Sequence, residues 1–361
     1  MNLNLPRLLV LDDYEGRLAA SPAMSRLRTL AEVTVLDRPI QSSDLQDLKN
    51  FRMLMALRER TRLDEGFLAA CTNLELVLQT GGHAYHLDAA AATRRGIVVA
   101  LGRRARKPTV AVPELAFAFM LGLARNVHGL TTRMSQGEWP RSMGTLLADR
   151  TLGILGCGRH GRPIARIAAA FGMKIVAWDR GGAYQTDDPC IRRLPLDDLL
   201  ACSDVVSIHL RLSAESRGLL NRERLAKMKR GALLINTARG AIVDEEALVE
   251  ALRENRIAGA GLDVFASEPL SASSPLRTLP NVLLTPHIGW QVSEVLNEFT
   301  EIAADQLAAW LSGQLAATEV LNPEAVDVPR ERLGGIARSR ESGREPKTGG
   351  AKIDAGGEGS D

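Results

Sequence analysis

The segment GILGCGRHGRPIARIAAAFGMKIVAWDR, residues 153–180, constrains this chain more than any other. Three glycines, Gly156, Gly158 and Gly161, follow an apolar run over Thr151–Leu155 that reads as a short buried strand. Pro163 then opens a stretch in which Ile164, Ile167, Ala168 and Phe171 recur at helical spacing. A lone G-x-G-x-x-G is weak, because glycine fills any sharp bend. Between a strand and a helix its meaning narrows. Gly156 permits the turn, Gly158 lets the backbone approach a pyrophosphate, Gly161 lets helix and strand pack closely, and the helix N-terminus offers N–H donors to the anion. A second strand, Lys174–Trp178, ends at Asp179, about twenty residues on, where a carboxylate can accept hydrogen bonds from both ribose hydroxyls. That carboxylate repels a 2′-phosphate, so NAD is the expected cofactor, with Arg180 next door softening the discrimination.

The rest of the chain repeats the strand-then-helix rhythm. Apolar runs RLLVLD, VTVLD, MLMAL, LELVLQT and GIVVAL precede the glycine turn, and TLGILG, KIVAWD, DVVSIHL, GALLINT, AGLDVF and NVLLTPH begin at it. Continuous apolar strands separated by helices predict parallel sheets covered on both faces, an α/β chain of two doubly wound units. At 361 residues the chain has room for two cores. Its net charge of +2 gives no general attraction to nucleic acid or acidic membranes, so neither partner is expected. No run is long enough to span a membrane and the N-terminus has no cleavage site, so a cytoplasmic protein is expected. Cys71, Cys157, Cys190 and Cys202 are scattered without zinc spacing, so we expect reduced thiols and no metal.

Between the units, residues 109–134 form a long apolar segment of helical period, with Pro113 read as a first-turn proline. It is expected to cross between the units and to face a second subunit. A last helix over residues 294–311 can return the chain to the first unit. From Pro323 the sequence has no aromatic residue and interspersed charges of both signs, the composition of a disordered tail.

In open parallel sheets, ligands bind beyond the carboxyl ends of the strands. There the second unit carries Thr237 and Arg239 after ALLIN, Glu268 after AGLDVF, and His287 and Gly289 after VLLTP. An arginine, a carboxylate and a histidine suit hydride transfer to a 2-oxo acid. Arg239 can hold the substrate carboxylate and carbonyl oxygen through its planar fork, and His287 can deliver the proton. Glu268 would bond the other ring nitrogen and favour the protonated imidazole. A surface arginine, a solvated glutamate and a capped core histidine are the plain alternatives for each residue taken singly.

The segments GILGCGRHG, NTARGAIVDEEALVEAL, AGAGLDVFASEPL and LPNVLLTPHIGW resemble those of the D-isomer-specific 2-hydroxyacid dehydrogenases, a family that includes phosphoglycerate dehydrogenases and glyoxylate/hydroxypyruvate reductases. The resemblance covers residues from about 7 to 322. It implies a Rossmann-type cofactor domain inserted in a flavodoxin-like substrate domain, and usually a homodimer built on the cofactor domains. The boundaries implied are 1–101 and 291–322 for the substrate domain, 102–290 for the NAD-binding domain and 323–361 for the tail. It places Arg239, Glu268 and His287 at catalytic positions. Arg159, His160, Asp179, His209, Thr237 and Asp263 then fall at cofactor-contacting ones, with Gly156, Gly158, Gly161 and Gly289. The family's regulatory domain has no counterpart after residue 322, so feedback by serine is not expected.

Departures from the family pattern bear on the substrate. The carboxylate-binding loop, Gly-x-Gly in many relatives, reads Gly81-Gly82-His83, Arg211 replaces a common proline, and Pro113 precedes Glu114 where alanine is usual. In ALRERT, residues 56–61, Arg58 and Arg60 alternate with Glu59. In extended backbone both guanidinium groups would share one face and grip a second anion on the substrate, a phosphate or a carboxylate, as the resemblance to phosphoglycerate dehydrogenases also implies. Two solvated surface arginines are the alternative, leaving glyoxylate or hydroxypyruvate as substrate. An NAD(H)-sensing binding protein on the same fold is the rival reading; fold alone does not separate the two, and the presence of all three chemical residues favours catalysis.

Overall fold

The computed structural model describes residues 5–180 and 188–327. Two parallel sheets organise them. The first holds β1 (Arg7–Val10), β2 (Glu32–Val35), β3 (Met53–Ala56), β4 (Leu76–Gln79) and β5 (Val98–Leu101) in the order β2-β1-β3-β4-β5, the flavodoxin-like arrangement. The helices α1 (Met24–Leu30), α2 (Glu65–Ala70) and α3 (Ala89–Arg94) connect them.

The chain then crosses to the second sheet through α4 (Pro108–Ala124) and α5 (Val127–Ser135). That sheet holds β6 (Thr151–Leu155), β7 (Lys174–Trp178), β8 (Ile191–Arg193), β9 (Val205–Ile208), β10 (Leu233–Asn236), β11 (Gly259–Leu262) and β12 (Val282–Leu284). Its order is β12-β11-β10-β9-β6-β7-β8, with helices α6 (Gly161–Ala170), α7 (Leu196–Cys202), α8 (Arg222–Lys227) and α9 (Glu245–Arg253) in the crossovers. The order reverses between β6 and β9, the switch point where such sheets bind their ligands. Strands β3, β4, β5, β9, β10 and β11 are buried along their whole length, as parallel strands covered on both faces must be.

Helix α10 (Ser293–Leu311) carries the chain back. Its Val295, Leu296, Phe299 and Leu307 share one core with Leu8, Val10, Met55 and Leu78 of the first sheet. Asn322 then locks the return: its Oδ1 accepts from Val99 N at 3.0 Å and its Nδ2 donates to Ile97 O at 2.9 Å. The Rossmann-type unit is therefore an insertion in the flavodoxin-like one.

Four features differ from the sequence expectation. The edge strand β8 was not expected. The apolar segment is two helices, broken where Asn126 takes a left-handed φ of 50°. Pro108 occupies the first turn of α4, and Pro113 lies inside the helix, buried. Pro323–Asp327, taken as the start of a tail, forms a short 3₁₀ turn with Ala325 fully buried. The remainder of that tail, 328–361, lies outside the described residues. No single described helix is long and apolar enough to cross a membrane; α4 and α5 reach that length only together, across a 64° bend.

Candidate active site

The three chemical residues stand at successive carboxyl ends of the second sheet, each held by a local device. Asn236 ends β10 and staples the turn after it: its Oδ1 accepts from Ala238 N and its Nδ2 donates to Arg239 O, both at 3.0 Å. The next residue must be glycine, because a Cβ on Gly240 would fall 1.9 Å from the Phe265 backbone. Arg239 is thereby aimed into the cleft between the two units.

Glu268 and His287 meet directly. His287 Nδ1 lies 2.7 Å from Glu268 Oε2, and Glu268 Oε1 accepts from Phe265 N at 3.0 Å. Burial would raise the Glu268 pKa, but the bond to His287, with Arg239 as a further contributor, outweighs it and leaves the carboxyl below the ordinary carboxylate value. The carboxylate thus fixes the ring and leaves Nε2 for chemistry. His287 sits at a left-handed φ of 58°. Asp263, buried after β11, holds that loop by accepting from Thr285 Oγ1 (2.6 Å), Ile288 N (2.7 Å) and Gly289 N (2.8 Å).

The cofactor residues gather at the switch point. Gly156 has a φ of 96°, and a Cβ there would meet His209 O at 2.8 Å. Gly161 packs its Cα against Gly156 O, where a Cβ would lie at 2.2 Å. Gly158 is half-buried just before α6, leaving open backbone at the helix entrance. His160 stands at that entrance without a side-chain capping bond, and burial, with Arg159 second, presses its pKa down to about 4. His209, its Nε2 2.8 Å from Ser207 Oγ, is pressed down to about 3 by burial. Both rings are neutral near pH 7. Thr237 Oγ1 is buried with no hydrogen-bond partner among the described residues, an orphaned group of the kind a bound ligand satisfies. An open glycine turn, a helix N-terminus and this orphan hydroxyl fit a dinucleotide. Arg159 is committed to the carbonyls of Arg103 and Ala105, bracing the turn to the start of the interdomain crossing.

The arginine pair behaves differently from expectation. Arg58 adopts a left-handed φ of 57°, so the alternation fails. Its guanidinium is buried over Gly81, where a Cβ would fall 2.0 Å from Nη1, and lies 3.7 Å from Glu59. Arg60 is spent on Glu15, at 2.6 and 2.9 Å, and on Asp12 O. Glu59 is the residue that enters the site. Its Oε1 contacts His83 Nδ1 at 2.8 Å and Arg239 Nη2 at 3.2 Å. Gly82 is exposed beside this cluster, and His83 stacks on Tyr85. Burial pulls the His83 pKa below its ordinary value, and the ring sits with one nitrogen close to Glu59 and the other facing Arg239, 3.4 Å away.

A family model for the D-isomer specific 2-hydroxyacid dehydrogenase NAD binding domain matches residues 117–289. The chain is 35% identical to a glyoxylate reductase of Thermofilum pendens over 89% of this chain and 97% of that protein. The chain belongs to the D-isomer specific 2-hydroxyacid dehydrogenases. It is an NAD-dependent oxidoreductase of that family. It is also 33% identical to a D-3-phosphoglycerate dehydrogenase of Methanocaldococcus jannaschii, over 86% of this chain but 59% of that one, so it spans well under two thirds of that relative. Among solved structures, a putative D-3-phosphoglycerate dehydrogenase of Ralstonia solanacearum superposes with a TM-score of 0.80 at 30% identity, covering 90% of this chain and 98% of that one.

Proposed function

We propose that this dehydrogenase reduces a short 2-oxo acid whose side chain carries no second anionic group, glyoxylate and hydroxypyruvate being of that class. The observation that carries this reading is Glu59: a carboxylate stands against Arg239, while Arg60, the residue that would have met a distal phosphate, is locked to Glu15. A substrate with one carboxylate replaces or shares the Glu59 contact on Arg239. A second anion would have to be desolvated beside Glu59, with Arg60 already paired to Glu15.

Arg239 orients the substrate carboxylate and polarises the ketone oxygen. His287 delivers a proton from Nε2 to that oxygen, and Glu268 stabilises the imidazolium beforehand and keeps the ring in place. The reduced nicotinamide supplies the hydride when bound. His287 takes the proton back in the opposite direction. Steady-state rates with glyoxylate, hydroxypyruvate, pyruvate and 3-phosphohydroxypyruvate test the reading. The highest kcat/KM is expected for glyoxylate or hydroxypyruvate, and a preference for the phosphorylated acid rejects it.

The working unit is a homodimer in the same proposal. Helix α5 buries none of its residues within the chain, and Trp139, Met143 and Leu146 after it are 84%, 96% and 72% exposed. Such an apolar arm suits a self-complementary interface. In the same proposal the substrate domain ends near residue 101 and resumes near residue 291, a reading supported by the return of α10 to the first core. Free thiols at all four cysteines suit a reducing compartment, and we take the protein to be cytoplasmic.

A further inference from the structure

The carboxylate at the adenosine end of the cofactor site is already occupied. Asp179 retains 6% side-chain exposure; its Oδ1 accepts from Cys157 N at 2.7 Å, and its Oδ2 pairs with Arg193 Nη1 at 2.8 Å. Arg193 ends β8, in register with Ala177 of β7, which puts it at the same carboxyl edge as Asp179. Its Nε and Nη2 are buried and have no hydrogen-bond partner among the described residues. A guanidinium cannot shed its charge, and its planar fork matches phosphate oxygens. Arg180, next to Asp179, is held by Ser213 Oγ and, at 2.8 Å, by the exposed Glu215, the latter a contact that solvent and ligands easily exchange.

An unpaired carboxylate here excludes a 2′-phosphate by repulsion and desolvation. In this chain that charge is neutralised, and the neutralising group keeps two donors unspent. We propose that Arg193 lets the adenosine-ribose subsite accept a 2′-phosphate, so that the protein binds NADPH as well as NADH, with Arg193 setting the ratio. The proposal is independent of the substrate, because Arg193 is on the far edge strand from β10, β11 and β12.

Calorimetric titration of the full chain with 5′-ADP and 2′,5′-ADP tests it without turnover. The parent is expected to bind 2′,5′-ADP within about tenfold of 5′-ADP. Arg193→Gln is expected to weaken 2′,5′-ADP by about tenfold or more, as loss of a charge-assisted phosphate contact does, and to leave 5′-ADP within about threefold. Arg193→Lys, which keeps the charge, is expected to recover part of the loss. Titrations with NADPH and NADH, followed by nicotinamide fluorescence, should give the same ranking. A parent that binds 2′,5′-ADP more than about tenfold weaker than 5′-ADP overturns the proposal, as does an Arg193→Gln variant that loses both ligands equally. If Arg193→Gln does not fold, the parent ratio and Arg193→Lys still decide.

Discussion

Glu59 Oε1 lies 3.2 Å from Arg239 Nη2, so the arginine that receives the substrate meets a carboxylate from the opposite unit across the cleft. Burial would raise the Glu59 pKa, but His83, Arg58 and Arg239 together hold it far below the ordinary value, so it is charged throughout the working pH range. A fixed negative charge at that point discriminates against dianionic substrates. Removing it in Glu59→Gln is expected to raise kcat/KM for 3-phosphohydroxypyruvate relative to hydroxypyruvate by about tenfold, a like-charge term of about 1.4 kcal/mol. An unchanged ratio would show that Glu59 does not read the substrate's far end.

His287 and Glu268 form the proton-handling pair, and replacing each has a different signature. His287→Ala is expected to lower kcat by about a hundredfold or more with NADH binding retained, since general acid catalysis typically contributes that much. Glu268 has a depressed pKa in the folded chain, so its contribution is complete above its ordinary value of 4.5 and is lost as pH falls through the lower folded value. Parent stability should therefore decline on acidification below about pH 4.5, and Glu268→Gln should flatten that part of the curve. Thermal melts from pH 3 to 7 check the sign. Parallel curves for parent and variant would remove Glu268 from the pH response.

Much of this was legible in the sequence, and the failures have physical causes. Buried parallel strands announce themselves as apolar runs, and eleven of them were readable; β8 was not, because two of its three residues are arginine. Arg239, Glu268 and His287 stand at the strand ends where the sequence reading places them. Arg58 and Arg60 misled because alternation presumes extended backbone, whereas Arg58 is left-handed at 57°. The pairing of Asp179 with Arg193 is a contact between strands, and no local motif encodes it.

The exposed arm gives a prediction about assembly. Trp139 at 84% exposure and Met143 at 96% leave large apolar side chains in water, and burying them against a second copy would contribute about 1.5–3 kcal/mol for a residue such as methionine. Light scattering is expected to give a dimer for the parent, and Trp139→Ser with Met143→Ser is expected to shift it toward monomer at micromolar concentration. A monomeric parent would leave the arm without this role.

Asp263 is the positioning residue for the acid–base histidine. His287 occupies a left-handed conformation that a residue with a Cβ adopts at some cost, about 1–2 kcal/mol, and the loop stays there because Asp263 accepts from Thr285, Ile288 and Gly289 on either side of it. Alanine at 263 would strand two backbone N–H donors, each costing about 1–3 kcal/mol when buried, so Asp263→Ala is expected to lower Tm as well as rate. Asp263→Asn separates the two effects. Its single carbonyl oxygen can still serve Thr285 and Ile288, but its amide presents a donor to Gly289 N, so the loop is displaced on the side that follows His287. The expected result is a fold that melts within a few degrees of the parent, a kcat reduced by about tenfold or more, and a substrate KM changed much less. Full kcat in Asp263→Asn would mean that His287 finds its place without this carboxylate.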